Sequence, residues 1–202
     1  AALTEVDDSV REDILEELET ETVVEGVREL DVDDAVYILE DLDAEDRAEI
    51  LDKLPAMERV ALQRSLEYPE GSAGRRMQAE LIAVPPFWTV GQTIDFMRET
   101  EDLPSTFYEI FVIDPGGHLL GSVPLDRLLR TKRPATINEI MTDEPDRVDA
   151  KQPQEEVARI FQRYNLVSAA VVDESGRLVG VMVVADIGDV IEDGAGAGDK
   201  GL

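Results

Sequence analysis

Asp186 and Asp189 lie three residues apart in an apolar, helix-patterned stretch, a spacing that turns both carboxylates to one side of a helix. Asp33 and Asp34 are neighbours in the first turn of another helix-patterned segment. Carboxylates are hard oxygen donors. With water they suit magnesium better than softer metals, and calcium and manganese have similar tastes. Other chemistry is scarce. The chain has no cysteine, which removes disulfides, thiolate catalysis and zinc–thiolate sites together. His118 is its one histidine and falls in a Pro-Gly-Gly turn, where a solvent-facing turn residue is the simpler reading. No nucleophile–base pair stands out, so catalysis is the poorest of the functional readings.

The acids far outnumber the bases: 46 Asp and Glu against 19 Lys and Arg, a net charge of −27. Residues 1–70 hold 24 acids against 6 bases, a net of −18; residues 71–202 hold 22 against 13, a net of −9. Such a surplus repels nucleic acid and anionic lipid and attracts cations. A solvated, salt-adapted surface would have the same composition, so charge alone decides nothing.

The elements that must hold these acids form two different repeats. Leucines recur every twelve residues at Leu18, Leu30, Leu42, Leu54 and Leu66, with Val24, Val36, Ala48 and Val60, and Ile38, Ile50 and Leu62, in the same frame. Ser9-x-x-Glu12 and Thr22-x-x-Glu25 read as capping boxes, Asp31 and Asp43 as N-caps, and Pro55 as a first-turn residue. Short capped helices of this kind cannot bury their faces alone and must stack. About five helices in a compact superhelix are expected over 8–67. The positive end of the helix dipole at a first turn also explains Asp33 and Asp34 without any ligand.

After the loop Tyr68–Arg75 the pattern changes. Ile113–Gly121 parallels Val172–Gly180, each a β-branched run that turns through glycine and resumes. Helix-period segments precede both, Val90–Arg98 and Glu155–Tyr164, themselves preceded by Met77 and Met141; apolar helices follow at Leu125–Leu129 and Asp186–Ile191. Each copy thus reads strand, helix, strand, strand, helix, over 77–131 and 137–193. Phe87 and Trp88 beside Pro85-Pro86 read as packing, and Gly71-x-x-Gly74 as a turn too short for a phosphate loop. No apolar run approaches the ~20 residues of a membrane span, and the first residues lack the basic and apolar regions of a secretory leader.

The second repeat resembles the tandem CBS module. Residues 68–78, YPEGSAGRRMQ, leading into 83–100, AVPPFWTVGQTIDFMRET, resemble the junction of the MgtE magnesium-channel family, and 154–193 resemble its second CBS module. The resemblance runs from about residue 28 to 193. It implies an α+β protein, an all-α superhelical N domain followed by a CBS pair of β-α-β-β-α repeats, with boundaries at 1–68, 69–135, 136–193 and a flexible tail at 194–202. It also implies a magnesium-sensing regulatory region on the cytoplasmic side of the membrane, a homodimer through the CBS modules, and a transmembrane pore outside these 202 residues.

In that family Mg2+ bridges acids of the N domain and the CBS pair. The resemblance places metal ligands at Asp186 and Asp189, then Glu155, with Asp33 and Asp34 on the N-domain side. Two carboxylates ~5 Å apart repel by about 3 kcal/mol at an effective dielectric of ~20, so a divalent ion between them would favour the compact state. The chain departs from the family pattern in four ways: Asn165 for an Asp, Pro153 for an acidic residue, Ala185 for the first of an Asp-Asp pair, and a glycine-rich tail where the family continues an acidic helix. The alternatives are an adenosine-nucleotide sensor and an acidic partner-docking module. Nucleotide-binding CBS modules carry a Ser/Thr and then an Asp after the strand glycine. The second copy has Val183 and Asp186 there, and the first has Pro124 and Arg127. ATP is therefore a second candidate ligand, and nucleic acid is not a candidate partner.

Overall fold

Four short helices follow one another between residues 20 and 66: α1 (Thr20–Arg28), α2 (Val32–Glu40), α3 (Ala44–Lys53) and α4 (Ala56–Leu66). They belong to a computed structural model that describes residues 14–15, 18–101, 103–104 and 106–188. The Ser9–Glu12 capping box, Asp189 and the glycine-rich tail lie outside the described residues. By its contacts the chain divides into two compact units, Ala1–Glu70 and Gly71–Leu202.

In the first unit α1 packs on α3 and α2 on α4, so each helix pairs with the next but one. The repeating leucines fall at the joints: Leu54 caps α3 and is buried, and Leu30, Leu42 and Leu66 pack half-buried against the same core. Ile38, Ile50 and Leu62 form its centre. The companion set behaves differently. Val36 is fully buried, whereas Ala48 is exposed and Val60 is 62% exposed. Residues two apart on a helix are ~200° apart, so both sets are buried only where a helix is flanked on two sides. Helix α2 is so flanked; α3 and α4 bury one face.

Asp43 caps α3 as its type suggests, accepting the backbone N–H of Glu45 and of Asp46 at 2.9 Å each. Asp31 occupies the N-cap of α2 but its side chain makes no capping bond. Thr22 lies inside α1, which starts two residues earlier after Glu19, and Pro55 is the N-cap of α4 rather than its first turn. Lys53 ties α3 to α1 through Glu21 at 2.9 Å, and Arg28 meets Glu58 of α4 at 3.4 Å.

The second unit holds two three-stranded sheets of the same plan. In the first, β1 (Ala83–Val84) runs parallel to β2 (Glu109–Ile113), which pairs antiparallel with β3 (Leu119–Pro124). In the second, β4 (Arg147–Asp149), β5 (Ser168–Val172) and β6 (Leu178–Val183) repeat that arrangement. Both hairpins break register at the same point, Val112/Ile113 and Val171/Val172, before turning through Gly117 and Gly176 at φ 83° and 79°. Helices α6 (Val90–Glu99) and α9 (Gln154–Tyr164) join the parallel strands, and α7 (Leu125–Arg130) follows β3. A 3-10 turn, Val184–Ile187, follows β6 and starts two residues before the expected helix.

Two short helices are exchanged between the copies. Helix α5 (Ala73–Arg76) precedes the first sheet in sequence yet packs with β4 and β6 of the second. Gln78 pairs with Val181 of β6 in both directions, at 2.9 and 3.0 Å. Conversely, α8 (Ile137–Ile140) seats Ile137 in the core of the first sheet, and Thr142 pairs with Ser122 of β3. The glycines at these crossings, Gly121 and Gly180, have no room for a side chain. A Cβ on Gly121 would stand 2.6 Å from the Thr142 carbonyl, and one on Gly180 would stand 2.5 Å from Met77 Sδ and 2.8 Å from the Gln78 carbonyl. Met77 and Met141 therefore lead into one copy while packing on the other. Phe111, Ala170, Val181 and Val183 join the sheets in a shared core.

Candidate functional site

Asp186 sits in the 3-10 turn that leaves β6, with both carboxylate oxygens engaged. Oδ2 accepts the backbone N–H of Val183 at 3.0 Å, and Oδ1 accepts from Gln78 Nε2 at 3.1 Å. These bonds fix the orientation of the carboxylate. The exchanged segment that brings Gln78 here is therefore part of the site. Nothing in the linear order signals the meeting, because 108 residues separate the partners.

The matching position after β3 is Arg127. Its Nη1 donates to the Ile140 carbonyl at 2.9 Å and to Thr142 Oγ1 at 3.1 Å. Thr142 stands in the first copy where Gln78 stands in the second. One crossing is latched by an acid and the other by a base.

Glu155 is exposed in the first turn of α9, whose N-cap is Pro153. Asn165 ends that helix in the left-handed region at φ 52°, a conformation asparagine tolerates far better than most residues. That backbone demand accounts for an asparagine without any ligand. In the helical unit, Asp33 and Asp34 occupy the first turn of α2, both partly buried. Burial pushes the Asp34 carboxyl above the ordinary aspartate range, and Asp31 adds to the shift. Among the described residues no three acidic or histidine side chains converge closely enough to form a metal cluster. What is present is a set of single and neighbouring carboxylates.

Between the two sheets lies a small cavity of about 10 Å³, lined by Gln78, Glu80, Tyr108, Glu109 and Ser168 among others. Ser168 Oγ donates to Glu109 Oε1 at 2.7 Å and joins the first residues of β5 and β2. Among the described residues that line it, none is basic. The space suits a water-sized guest. The Glu109–Ser168 pair went unseen in the sequence, although the two residues occupy equivalent positions in the repeated hairpins.

Comparison with known proteins adds to this geometry. The family model for the MgtE intracellular N domain matches residues 1–71, and the CBS domain model matches 137–193. The crystal structure of the cytosolic domain of the Mg2+ channel MgtE in complex with ATP is similar over 93% of this chain and 77% of that chain, at 31% identity and a TM-score of 0.87. The crystal structure of the soluble part of a magnesium transporter is similar over 96% of this chain and 76% of that one, at 27% identity and a TM-score of 0.87. The magnesium transporter MgtE of Thermus thermophilus is 38% identical over 125 residues, 62% of this chain and 28% of the relative. The chain thus spans under a third of that relative's length. No described helix is long and apolar enough to cross a membrane. A helical unit matched by the N-domain model, two sheets on the CBS plan, and one solved cytosolic domain similar to nearly all of it lead to one assignment: the chain belongs to the MgtE family.

Proposed function

We propose that this chain is the cytosolic magnesium-sensing region of an MgtE-type magnesium transporter or channel. In this reading the N domain occupies 1–68, the CBS modules 69–135 and 136–193, and a tail 194–202. Mg2+ bridging acids of the N domain and the CBS pair, from Asp33, Asp34, Glu155, Asp186 and Asp189, favours the compact, closed state. The region works on the cytoplasmic side of the membrane as a homodimer through its CBS modules, joined to a transmembrane pore. The observation that carries this reading is the similarity to the MgtE cytosolic domain over 93% of the chain.

The physics is differential binding. Acids held near one another resist compaction, and a hard dication that binds the compact arrangement better shifts the population towards it. Asp34 is an example of the strain involved, since its charge is disfavoured by burial and by Asp31. Asp186, already oriented by Val183 and Gln78, presents a carboxylate that needs little ordering to meet an ion.

Thermal unfolding in MgCl2 against NaCl of equal ionic strength tests the proposal. Site binding raises the melting temperature by mass action with magnesium alone, and Asp186→Ala/Asp189→Ala blunts the rise. Equal stabilisation by both salts would reduce the effect to screening and end the sensor reading.

A second reading, an adenosine nucleotide held in the cleft between the sheets, draws on the relative solved in complex with ATP and on the acid that Asp186 retains after β6. The cleft would have to widen, and its Glu80 and Glu109 disfavour a bare polyphosphate. A melting shift with ATP in magnesium, lost in EDTA, is the outcome this reading requires.

A further inference from the structure

We propose that the helical unit carries a docking groove for a basic amphipathic helix of a partner protein, running along α1 beside the start of α2. The groove encloses about 540 Å³, within the ~300–1,000 Å³ of evolved binding pockets. Its floor is apolar, formed by Val23, Val27, Leu30 and Ile38, and its rim carries Glu29, Asp31 and Asp34. Thr22, Gly26 and Leu30 line it at intervals of four, so the trough follows the axis of α1, a shape that suits another helix. Gly26 is exposed, and a Cβ placed there would meet nothing within 4 Å. A glycine at such a point lets a second backbone approach closely.

Charge selects the occupant. Three carboxylates rim the groove beside its apolar floor. A lysine or arginine next to an apolar anchor would pair with them. Residues 1–13 hold five acids and one arginine, residues 189–202 four acids and one lysine, and a second copy carries −27. The one strongly basic stretch, residues 125–133, is already held in the first CBS-type copy, where Arg127 donates to the Ile140 carbonyl and Arg133 to Asp95. The complement is a cationic helix of a partner. This inference is independent of the magnesium reading, with which it shares only Asp34.

The test titrates the full chain with a short helical peptide of leucine and lysine, against its leucine–glutamate counterpart, by fluorescence anisotropy and amide chemical shifts. The lysine peptide should bind and shift Val23, Val27 and Ile38, while the glutamate peptide does neither. Gly26→Leu, which improves helix propensity and fills the trough, should weaken binding at least about tenfold, worth ~1.4 kcal/mol. Asp31→Asn/Asp34→Asn should weaken it without altering shape. Undiminished binding to Gly26→Leu, or shifts confined to residues 71–188, would mean diffuse electrostatic adhesion and overturn the proposal. A dimer that Gly26→Leu dissociates would assign the groove to a second copy. Tighter peptide binding after deletion of residues 1–13 would assign it to the chain's own start. Either result also overturns the proposal. Gly26→Leu should keep any magnesium-dependent melting shift, so the two readings fail separately.

Discussion

The two CBS-type copies share a plan and differ at the point where each is latched to the exchanged segment. In the second, Asp186 receives a side-chain donor from Gln78 and a backbone N–H from Val183. In the first, Arg127 reverses the polarity and donates to Thr142 and the Ile140 carbonyl. Duplication thus preserved the backbone crossing, which glycine and methionine enforce by size, while the side-chain chemistry on top of it diverged. The crossing is structural in both copies. Only the second keeps a carboxylate there, where the first has a guanidinium.

The steepest test of this comparison is steric. Gly121→Ala and Gly180→Ala each push a methyl into a closed crossing, and overpacking of this kind costs about 1–3 kcal/mol. Gly121 should lose more, because its nearest obstacle is the Thr142 carbonyl, whereas Met77 can swing away from Gly180. Urea unfolding of both variants decides this. Equal losses would mean that the Gln78 carbonyl, not Met77, sets the limit in the second copy.

The latches come next. Asp186→Ala leaves the Val183 N–H and the Gln78 amide without their partner and should cost about 1–2 kcal/mol. Arg127→Ala, whose hydrogen bonds are exposed, should cost under ~1 kcal/mol. Similar losses in thermal melts would erase the proposed asymmetry. Ser168→Ala probes the pair between the two sheets. Removing the hydroxyl that Glu109 accepts should cost about 1 kcal/mol, and Ser168→Thr should restore part of it.

The smallest effect is at the hairpin turns. Asp114 and Asp173 each accept the backbone N–H of the residue four later, at 2.8 and 3.0 Å, but Asp114 also meets His118 Nδ1 at 3.0 Å. The His118 N–H, then the imidazole, hold the Asp114 carboxyl below the ordinary aspartate range. A carboxyl lowered in the folded state contributes stability above its unfolded value and loses it as pH falls through the folded value. The deficit of Asp114→Asn should therefore be present at neutral pH and vanish in strong acid. A deficit that stays constant through the acid range, read by urea unfolding at stepped pH, would show that the turn owes nothing to this charge.

Much of the architecture was legible in residue types. The glycine-ended hairpins, the α6 and α9 segments and the twelve-residue helical repeat follow from local periodicity and capping, which are properties of neighbours in the chain. Asp43 capped as its type suggests, and Asp31 held the N-cap position without the bond. The cap readings slipped by three residues at Thr22 and by one at Pro55, because several polar residues near a helix start can serve as cap and packing chooses among them.

The candidate site was legible only in part. The family resemblance named the acidic candidates, and the repeat marked Asp186 and Arg127 as counterparts. The exchange of α5 and α8 between the copies left no local trace, since Met77 and Met141 look the same whichever sheet they cover. So the sequence by itself determined the elements, the duplication and the chemistry available, all of which depend on neighbours along the chain. Only the tertiary structure decided that Gln78 orients Asp186, that Ser168 meets Glu109, and that Val36 is buried while Val60 is not. Those outcomes depend on which surfaces of distant segments fit together, and residue spacing carries no record of that fit.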